Sequence, residues 1–263
     1  MNETESFQIQ ILNTFICQKL GEDISDCQDS LSTNINNNRF CVADGVSRSF
    51  YPAIFSGLLT NLFCNGDMPE NTELFSQKKW QKWLEIAQHE WLKLVEEKVD
   101  QTNKYYIKNR FYNKEHAGAT FAGIEFQENE RSIIFNAMII GDSCIIHIDQ
   151  AHKKTNKYLI ESSKDFNFTP NYFPSRPVQE KSFQPNFLID QPVSVDDIIV
   201  VATDAIAKWL LLLIEKREKL IFNDIHKLTY ETIDKYRTDQ SYPLENDDIA
   251  LLVLKVVQPK QKG

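Results

Sequence analysis

The order of apolar and polar residues along the chain predicts strands first and helices after them. Residues 7–17 and 39–43 are rich in β-branched and aromatic residues, a composition typical of strands. The polar stretch 34–38 between them predicts a turn, so we expect the two strands to form a hairpin. Apolar residues then recur every three or four positions over 50–64 and 76–100, and this spacing predicts two helices.

The second half of the chain begins with another strand pattern. Three apolar segments separated by polar turns over 118–149 predict a β-meander. Residues 150–192 are rich in proline and polar side chains, which indicates an irregular, flap-like excursion. The remaining pattern predicts a strand over 197–203, helices near 205–215 and 222–236, and a last strand over 249–257.

This succession of elements favours one fold class over another. Groups of strands with helices before and after them are typical of an α+β layered sandwich, and not of a doubly wound parallel sheet. The sequence contains no glycine-rich nucleotide-binding motif, which also argues against a nucleotide-binding fold. It has no internal repeat and no linker rich in Gly, Ser or Pro, so we expect residues 1–263 to form a single domain.

Composition and charge narrow the possible partners. The 263 residues are 42% hydrophobic and 25% charged, as in ordinary globular proteins. The net charge of -8 gives no basic surface for a phosphate backbone, so we expect no nucleic-acid partner. The polar, acidic N-terminus does not resemble a secretory signal, and Asp204 and Lys208 interrupt the longest apolar stretch, 198–214. We therefore expect a cytoplasmic protein without a membrane partner, whose five cysteines, lacking CxxC spacing, are reduced.

Aspartates at the ends of apolar strands are the main candidates for chemistry. Four of them adjoin such strands: Asp44, Asp142, Asp204 and Asp247. A fifth, Asp29, lies in the first polar segment. A single aspartate of this kind is usually a turn former or a helix cap. If the strands lie side by side, however, several carboxylates meet at one edge of the core, where they repel and raise each other's pKa.

Such a group of carboxylates needs a positive counter-charge. Arg39 and Arg48 are near Asp44 in the sequence, but no Lys or Arg immediately adjoins the other three strand-end aspartates. A hard divalent cation suits ligands that are all oxygen, whereas zinc or copper would call for His or Cys. The five histidines are scattered without HxxxH spacing. The residues therefore favour a Mg²⁺ or Mn²⁺ site.

Six segments, in chain order, resemble the successive motifs of a known family: GEDISDCQDS, RFCVADGVSRSF, AGATFAG, MIIGDSCIIHI, DIIVVATDAIAKW and ENDDIALLVL. They are similar to those of the metal-dependent protein phosphatases, the protein phosphatase 2C-like family. VADGVSRSFYPAIFSGLL and ATDAIAKWLL resemble its divergent bacterial branch. The resemblance covers residues 20–257. It implies two packed antiparallel β-sheets flanked by helices, an α-β-β-α sandwich with a binuclear metal centre at one end.

The resemblance also implies roles for individual residues. Asp44 would bridge two Mg²⁺ or Mn²⁺ ions, the carbonyl of Gly45 would be a further ligand, Asp204 and Asp247 would complete the shell of one ion, and Asp29 would hold water at the metals. Asp142 would help to bind a third, weaker metal. The implied reaction is hydrolysis of phosphoserine or phosphothreonine in a protein, opposing a Ser/Thr kinase, by water activated between the ions.

The sequence departs from the family pattern at several positions. Ile24 stands where members often carry an arginine that grips the substrate phosphate. Arg48 is the candidate replacement, because its planar guanidinium suits phosphate; the alternative is an ion pair with a surface carboxylate. Ala205 and Asp248 replace a common glycine and a common asparagine. Asp248 would become the ligand instead of Asp247 if the register slipped by one residue.

Two other functions are compatible with these residues. One is a catalytically silent phosphatase-like module that binds phosphoproteins or regulates a complex, and the missing arginine is the reason to consider it. The other is a different oxygen-ligand metallohydrolase that acts on small phosphate esters. Retention of Asp29, Asp44, Asp204 and Asp247 favours an active phosphatase, because a silent module has no physical reason to keep repelling carboxylates together.

Overall fold

A computed structural model describes residues 7–66, 75, 79–129, 132–151, 154–166, 170–178, 183–216, 225–239, 241 and 243–259. The strands are β1 (Gln8–Cys17), β2 (Ser30–Asn34), β3 (Arg39–Gly45), β4 (Gly118–Asn129), β5 (Ser132–Ile140), β6 (Cys144–Asp149), β7 (Lys154–Tyr158), β8 (Phe173–Pro174), β9 (Asn186–Val193), β10 (Ile198–Ala202) and β11 (Ile249–Val257). The α-helices are α1 (Pro52–Asn65), α2 (Lys79–Gln101), α3 (Tyr105–Tyr112), α4 (Asp204–Glu215) and α5 (Tyr230–Thr238).

The strands form two antiparallel sheets. The first sheet has the order β1-β11-β10-β6-β7, and the second has the order β2-β3-β4-β5-β9, with β8 also paired to β4. Side chains alternate between the two faces of a strand, so each sheet presents one apolar face to the other sheet and one to helices. Both faces of the central strands are therefore apolar.

Three layers of buried side chains hold these elements together. Between the sheets, Phe40 and Ile124 of the second sheet pack with Leu252 of the first. The outer face of the second sheet is covered by α1 and α2, whereas α4 and α5 cover the first sheet. The arrangement is the α-β-β-α sandwich that the sequence predicts, and each fully buried large apolar side chain contributes about 1.5–3 kcal/mol to its stability.

The apolar residues of α2 form the buried face that their helical spacing predicts. Trp83 and Trp91 are fully enclosed against the second sheet, and the Trp83 ring packs in a tilted orientation against Phe121, with 5.2 Å between ring centroids. The predicted helices 50–64 and 205–215 correspond to α1 and α4. In 222–236, the described residues hold a short 3-10 turn followed by α5, and residues 222–224 lie outside the described part. None of the described helices is both long enough and apolar enough to span a bilayer.

The predicted hairpin between 7–17 and 39–43 is wrong in its partner. The turn after Asn34 is present, but it joins β3 to β2, a short polar strand that the apolar pattern does not reveal. β1 instead pairs with β11, from the other end of the sequence. The apolar residues of β1 therefore contribute to the first sheet, while those of β3 belong to the second.

The predicted β-meander over 118–149 is also only partly correct. β4 and β5 pair as neighbours, but β6 leaves their sheet and pairs with β10 and β7. The turn at 141–143 thus crosses from one sheet to the other. The predicted irregular excursion 150–192 contains β7, β8 and β9, so it is more regular than expected. All five cysteines are buried and free, in agreement with the prediction of reduced thiols, and the single-domain boundary 1–263 stays a prediction.

Candidate metal centre

The register of the first sheet brings Asp142 and Asp204 to the same edge. Ala202, the last residue of β10, pairs with Cys144, the first residue of β6. Asp204 lies two residues after Ala202, and Asp142 lies two residues before Cys144, so the antiparallel ladder points both aspartates to its end. Asp247 precedes β11, which pairs with β10 on the other side, and therefore reaches the same edge.

The second sheet brings Asp29 and Asp44 to this edge. Asp44 pairs with Thr120 near the end of β3. Asp29 immediately precedes β2, whose first residue, Ser30, pairs with Ala43. The two aspartates are therefore neighbours across the β2-β3 ladder. We call Asp29, Asp44, Asp142, Asp204 and Asp247 the acidic cluster.

Glycines beside two of these aspartates have no room for a side chain. A Cβ atom on Gly45 would lie 2.8 Å from the carbonyl oxygen of Gln28, and the N–H of Gly45 donates to that same oxygen at 3.2 Å. Gly141, before Asp142, has φ +84°, and a Cβ there would lie 2.6 Å from the carbonyl oxygen of Asn171. Glycine is the residue that allows both close approaches.

Burial and mutual repulsion raise the pKa of the clustered carboxyl groups. For Asp44, burial and the charges of Asp142 and Asp247 raise the pKa to about 6, although the neighbouring Asp29 side chain partly opposes the shift. Burial and the charge of Asp204 raise the pKa of Asp142 to about 7. The pKa of Asp204 rises to about 8 because of burial and the charges of Asp44 and Asp247.

Together with Asp142, Asp29 is one of the two buried members of the acidic cluster. Burial, followed by the charge of Asp44, raises its pKa well above 3.8, and the nearby Thr203 hydroxyl offsets only part of this. Neither carboxyl oxygen of Asp29 has a hydrogen-bond partner by distance and angle within the described residues, and the same is true of Oδ1 of Asp142. Buried carboxyl oxygens without partners are costly, so a cation or donor that reached these oxygens would stabilise the folded protein.

Asp204 keeps a raised pKa despite a favourable position. It is the first residue of α4, where exposed N–H groups and the helix dipole stabilise a carboxylate, and its Oδ1 accepts from the N–H of Ala205 at 2.6 Å. Burial and neighbouring carboxylates outweigh this stabilisation. Ala205 therefore retains the backbone donor that a glycine at this position would provide.

Asp247 and Asp248 have different environments. Both oxygens of Asp248 accept backbone hydrogen bonds, from Lys19 at 3.0 Å and from Gln28 at 2.8 Å. Oδ1 of Asp247 instead lies 2.9 Å from Nζ of Lys19. This cation is not apparent from the sequence around Asp247, because 228 residues separate the two along the chain. Asp248 is a backbone clamp, and Asp247 is the member that faces Asp204.

The two arginines near Asp44 in the sequence have separate positions. Arg39 is at the opposite end of β3, where its Nε lies 3.0 Å from Oε2 of the buried Glu125, and it does not reach the acidic cluster. Arg48 is exposed, has φ +70°, and makes no side-chain hydrogen bond or ion pair within the described residues. Its carbonyl oxygen accepts from Arg110 at 3.1 Å, which fixes the loop and leaves the guanidinium free.

The donor set of the acidic cluster fits hard divalent cations. All candidate side-chain ligands are carboxylates, as Mg²⁺ and Mn²⁺ prefer, and the unpartnered oxygens of Asp29 and Asp142 lack the positive partner that an ion would provide. As the side chains stand, no three acidic, His or Cys groups among the described residues surround a single point. Side-chain rotation would therefore have to accompany ion binding.

A cavity of about 400 Å³ adjoins the acidic cluster at Asp142. Asn171, Gln184, Asn186 and Asp165 also line it. The side-chain amides can donate to and accept from a peptide backbone, which needs both kinds of partner. The cavity therefore offers polar contacts next to the carboxylates.

The structure resembles solved Ser/Thr phosphatases over nearly its whole length. It matches the catalytic domain of PstP with a TM-score of 0.54 and 12% identity, covering 96% of this chain and 100% of that one. A serine/threonine phosphatase of S. agalactiae matches with a TM-score of 0.56 and 14% identity over 95% of this chain and 100% of that one. This chain has the protein phosphatase 2C fold. No protein-family profile and no curated protein matches its sequence.

Two proteins with the protein phosphatase 2C fold were solved with bound divalent cations. The PstP domain contains two manganese ions, and RsbX contains magnesium; RsbX matches with a TM-score of 0.50 and 15% identity over 97% of this chain and 98% of that one. Because the sequence identities are only 12% and 15%, the likeness to these two proteins extends to the fold and no further.

Proposed function

We propose that this chain hydrolyses phosphoserine and phosphothreonine in proteins at a binuclear Mg²⁺ or Mn²⁺ centre in the acidic cluster. The observation that supports the proposal most strongly is the meeting of five aspartates at one end of a protein phosphatase 2C sandwich. Burial and repulsion raise the pKa of Asp29, Asp44, Asp142 and Asp204, and Asp29 and Asp142 have buried oxygens without a partner among the described residues. Such a group is costly in the absence of cations, so its presence calls for a ligand.

Each residue has a proposed role in this reaction. Asp44 would bind both ions, the carbonyl of Gly45 would supply a further ligand, Asp204 and Asp247 would complete one ion's shell, and Asp142 would help to bind a third, weaker ion. Asp29 would orient the attacking water through its carboxylate. When bound, the ions supply a water of lowered pKa and balance the charge of the phosphoryl oxygens. Arg48 would contact the phosphoryl oxygens of the substrate with its free guanidinium.

The substrate side of the proposal is a phosphorylated protein in the cytoplasm, either a Ser/Thr kinase or a target of one. The cavity beside Asp142 supports a peptide substrate, because its amides match an extended backbone. No cysteine is needed as a nucleophile, since water attacks phosphorus in line and the serine or threonine oxygen leaves.

The test compares two substrates under the same conditions. The full chain should hydrolyse p-nitrophenyl phosphate with Mn²⁺, lose this activity with a chelator, and also release phosphate from a phosphothreonine peptide. Asp44→Asn should remove both activities, whereas Asp196→Asn, at the remote end of the sandwich, should retain them. Turnover of the small ester alone would support a different metallohydrolase instead.

Two observations favour the catalytically silent module as a second candidate. The ammonium group of Lys19 forms an ion pair with Asp247, and no three candidate ligands surround a single point among the described residues. A silent module would bind a phosphothreonine peptide without turning over either substrate in the presence of Mn²⁺. Measurement of peptide binding by calorimetry beside the activity assay separates the two functions.

A further inference from the structure

The backbone of the segment after β1 is fastened to the loop before β11. The N–H of Lys19 donates to Oδ1 of Asp248 at 3.0 Å, and the N–H of Leu20 donates to Oδ1 of Asn246 at 2.7 Å. Asp248 is buried, and such hydrogen bonds to a buried carboxylate are stronger than neutral ones. Lys19 is therefore held in position by its main chain.

Arg237 of α5 adds two hydrogen bonds to this connection between the segment after β1 and the loop before β11. Its Nη2 donates to the carbonyl oxygen of Gln18 at 3.0 Å and to that of Asp247 at 2.6 Å. One guanidinium thus bridges the residue before Lys19 and the residue that Lys19 pairs with. The backbone positions of Lys19 and Asp247 are therefore fixed relative to each other, and only the two side chains need to move for their ion pair to break.

The ammonium group of Lys19 is directed into the acidic cluster. Its Nζ lies 2.9 Å from Oδ1 of Asp247 and 3.5 Å from Oγ of Ser47 in the loop after Asp44. The Lys19 side chain is 21% exposed. Of the ion pairs formed by the described residues, this is the one that includes a member of the acidic cluster.

We infer that Lys19 is an internal counter-ion that holds Asp247 in the metal-free protein, releases it to a divalent cation, and then contacts the phosphoryl group of the substrate. The inference rests on the proposed function. It explains why the carboxylates do not surround a single point as they stand, because Asp247 is paired with a cation of the chain itself. An ion that binds Asp247 must first displace this ammonium group.

Once Lys19 is released from Asp247, its ammonium group can bind the phosphoryl group of the substrate instead. Its four-carbon side chain is flexible and its ammonium binds phosphate as a point charge. The neighbouring Ser47 belongs to the loop that also carries the free guanidinium of Arg48. A phosphoryl group held at the acidic cluster would therefore meet two cations, Lys19 and Arg48, at chain positions different from Ile24.

Calorimetric titration of the metal-free full chain with Mn²⁺ tests the first step. Lys19→Met keeps the apolar stem and removes the competing charge, so it should bind Mn²⁺ about three- to tenfold more tightly than the unaltered protein. Lys19→Gln is a second uncharged variant that should behave alike. Lys255→Met is the matched control, because Lys255 forms a similar ion pair with Asp196, 2.7 Å long, at the other end of β11. It should leave the affinity unchanged.

Titration of the Mn²⁺-loaded proteins with inorganic phosphate tests the second step. Both uncharged variants should bind phosphate at least about threefold more weakly, while Lys19→Arg should stay close to the unaltered protein. Unchanged or weaker Mn²⁺ affinity in both uncharged variants would overturn the inference, and so would unchanged phosphate affinity. An unaltered chain that binds Mn²⁺ and turns over substrate while the variants show no shift contradicts the role of Lys19 alone. A chain that binds no Mn²⁺ contradicts the proposed function as well.

Discussion

The hydroxyl groups of Thr120 and Ser143 lie 2.7 Å apart in the interior and join the two sheets beneath the acidic cluster. Thr120 is the strand partner of Asp44, and Ser143 follows Asp142 in the turn that crosses between the sheets. This hydrogen bond therefore links the strand partner of Asp44, in the second sheet, to the residue that follows Asp142.

Thr120→Val should weaken both the fold and ion binding. The substitution leaves the buried Ser143 hydroxyl without its partner, so we expect a loss of about 1 to 3 kcal/mol in the free energy of unfolding. Mn²⁺ affinity should fall about tenfold, because the acidic cluster loses its internal support. Urea unfolding and calorimetry measure the two effects.

The matched control removes a part-buried hydrogen bond made by the buried Asn136, elsewhere in the second sheet. In Asn136→Ala, the N–H of Asp190 loses the Oδ1 acceptor that lies 2.8 Å away. This variant should lose similar stability and keep its Mn²⁺ affinity. Equal loss of Mn²⁺ affinity in both variants would show that general destabilisation, and not the Thr120–Ser143 contact, governs ion binding.

Asp204→Asn should stabilise the metal-free protein while it removes the response to Mn²⁺. The amide relieves repulsion with neighbouring carboxylates, so we expect the melting temperature without metal to rise by about 2 to 6 °C. The unaltered chain should gain stability with Mn²⁺, whereas this variant should gain little. Thermal melts with and without Mn²⁺ measure both effects.

Asp197→Asn is the contrasting substitution of a buried aspartate that is already satisfied. Asp197 accepts hydrogen bonds from Nε2 of His147 at 2.9 Å, from the N–H of Gln150 at 3.0 Å and from the N–H of Ser194 at 2.9 Å. Its replacement should cost about 2 to 4 kcal/mol and leave the Mn²⁺ response intact. A destabilised Asp204→Asn protein would contradict the view that the acidic cluster is under electrostatic strain.

The stability of the metal-free protein should fall as pH rises. The pKa values of Asp44, Asp142 and Asp204 are raised to about 6, 7 and 8. At a pH above the ordinary pKa of aspartate, the folded protein therefore retains protons that the unfolded chain has released. The contribution of these groups to the free energy of unfolding is fully present below about pH 4 and is lost as the pH rises through about 6 to 8. Mn²⁺ competes with the same protons, so its affinity should increase over that window. A melting temperature without metal that rises from about pH 5.5 to about pH 8.5 would refute this.

Arg48→Ala should raise KM for a phosphothreonine peptide about tenfold with a smaller effect on kcat, because a charge-assisted contact to the phosphate is lost. Arg48→Lys should recover only part of the affinity, since an ammonium lacks the planar fork. Steady-state kinetics with Mn²⁺ measures both. Unchanged KM in Arg48→Ala would remove Arg48 from the phosphate site.

The parts of the fold that sequence predicts are those whose burial imposes a period. α2 carries tryptophans at helical spacing, and β11 is a continuous apolar run, so both were predicted close to their observed bounds. β2, with the sequence SLSTN and no fully buried residue, has no such period. For the same reason α3, which buries only Phe111, gives no helical stripe.

Four of the five aspartates of the acidic cluster could be selected from the sequence because each stands at the edge of an apolar strand, whereas Asp29 was selected from the first polar segment. What sequence could not supply was the sheet to which each strand belongs. The Gly141 turn has the composition of a hairpin turn, yet it crosses between sheets, and the positive φ of Gly141 and the lack of room for a Cβ beside Asn171 appear only in the folded structure. Lys19 was missed because its contact with Asp247 depends on the pairing of β1 with β11.

The position of β11 between β1 and β10 has a consequence for biosynthesis. β1 is translated long before its partner β11, so its edge stays unpaired until Ile249–Val257 has been made. A nascent chain also lacks Asp247 until shortly before that point. A chain truncated before Ile249 would therefore leave the edge of β1 unpaired, and we expect it to aggregate or to be bound by holdase chaperones.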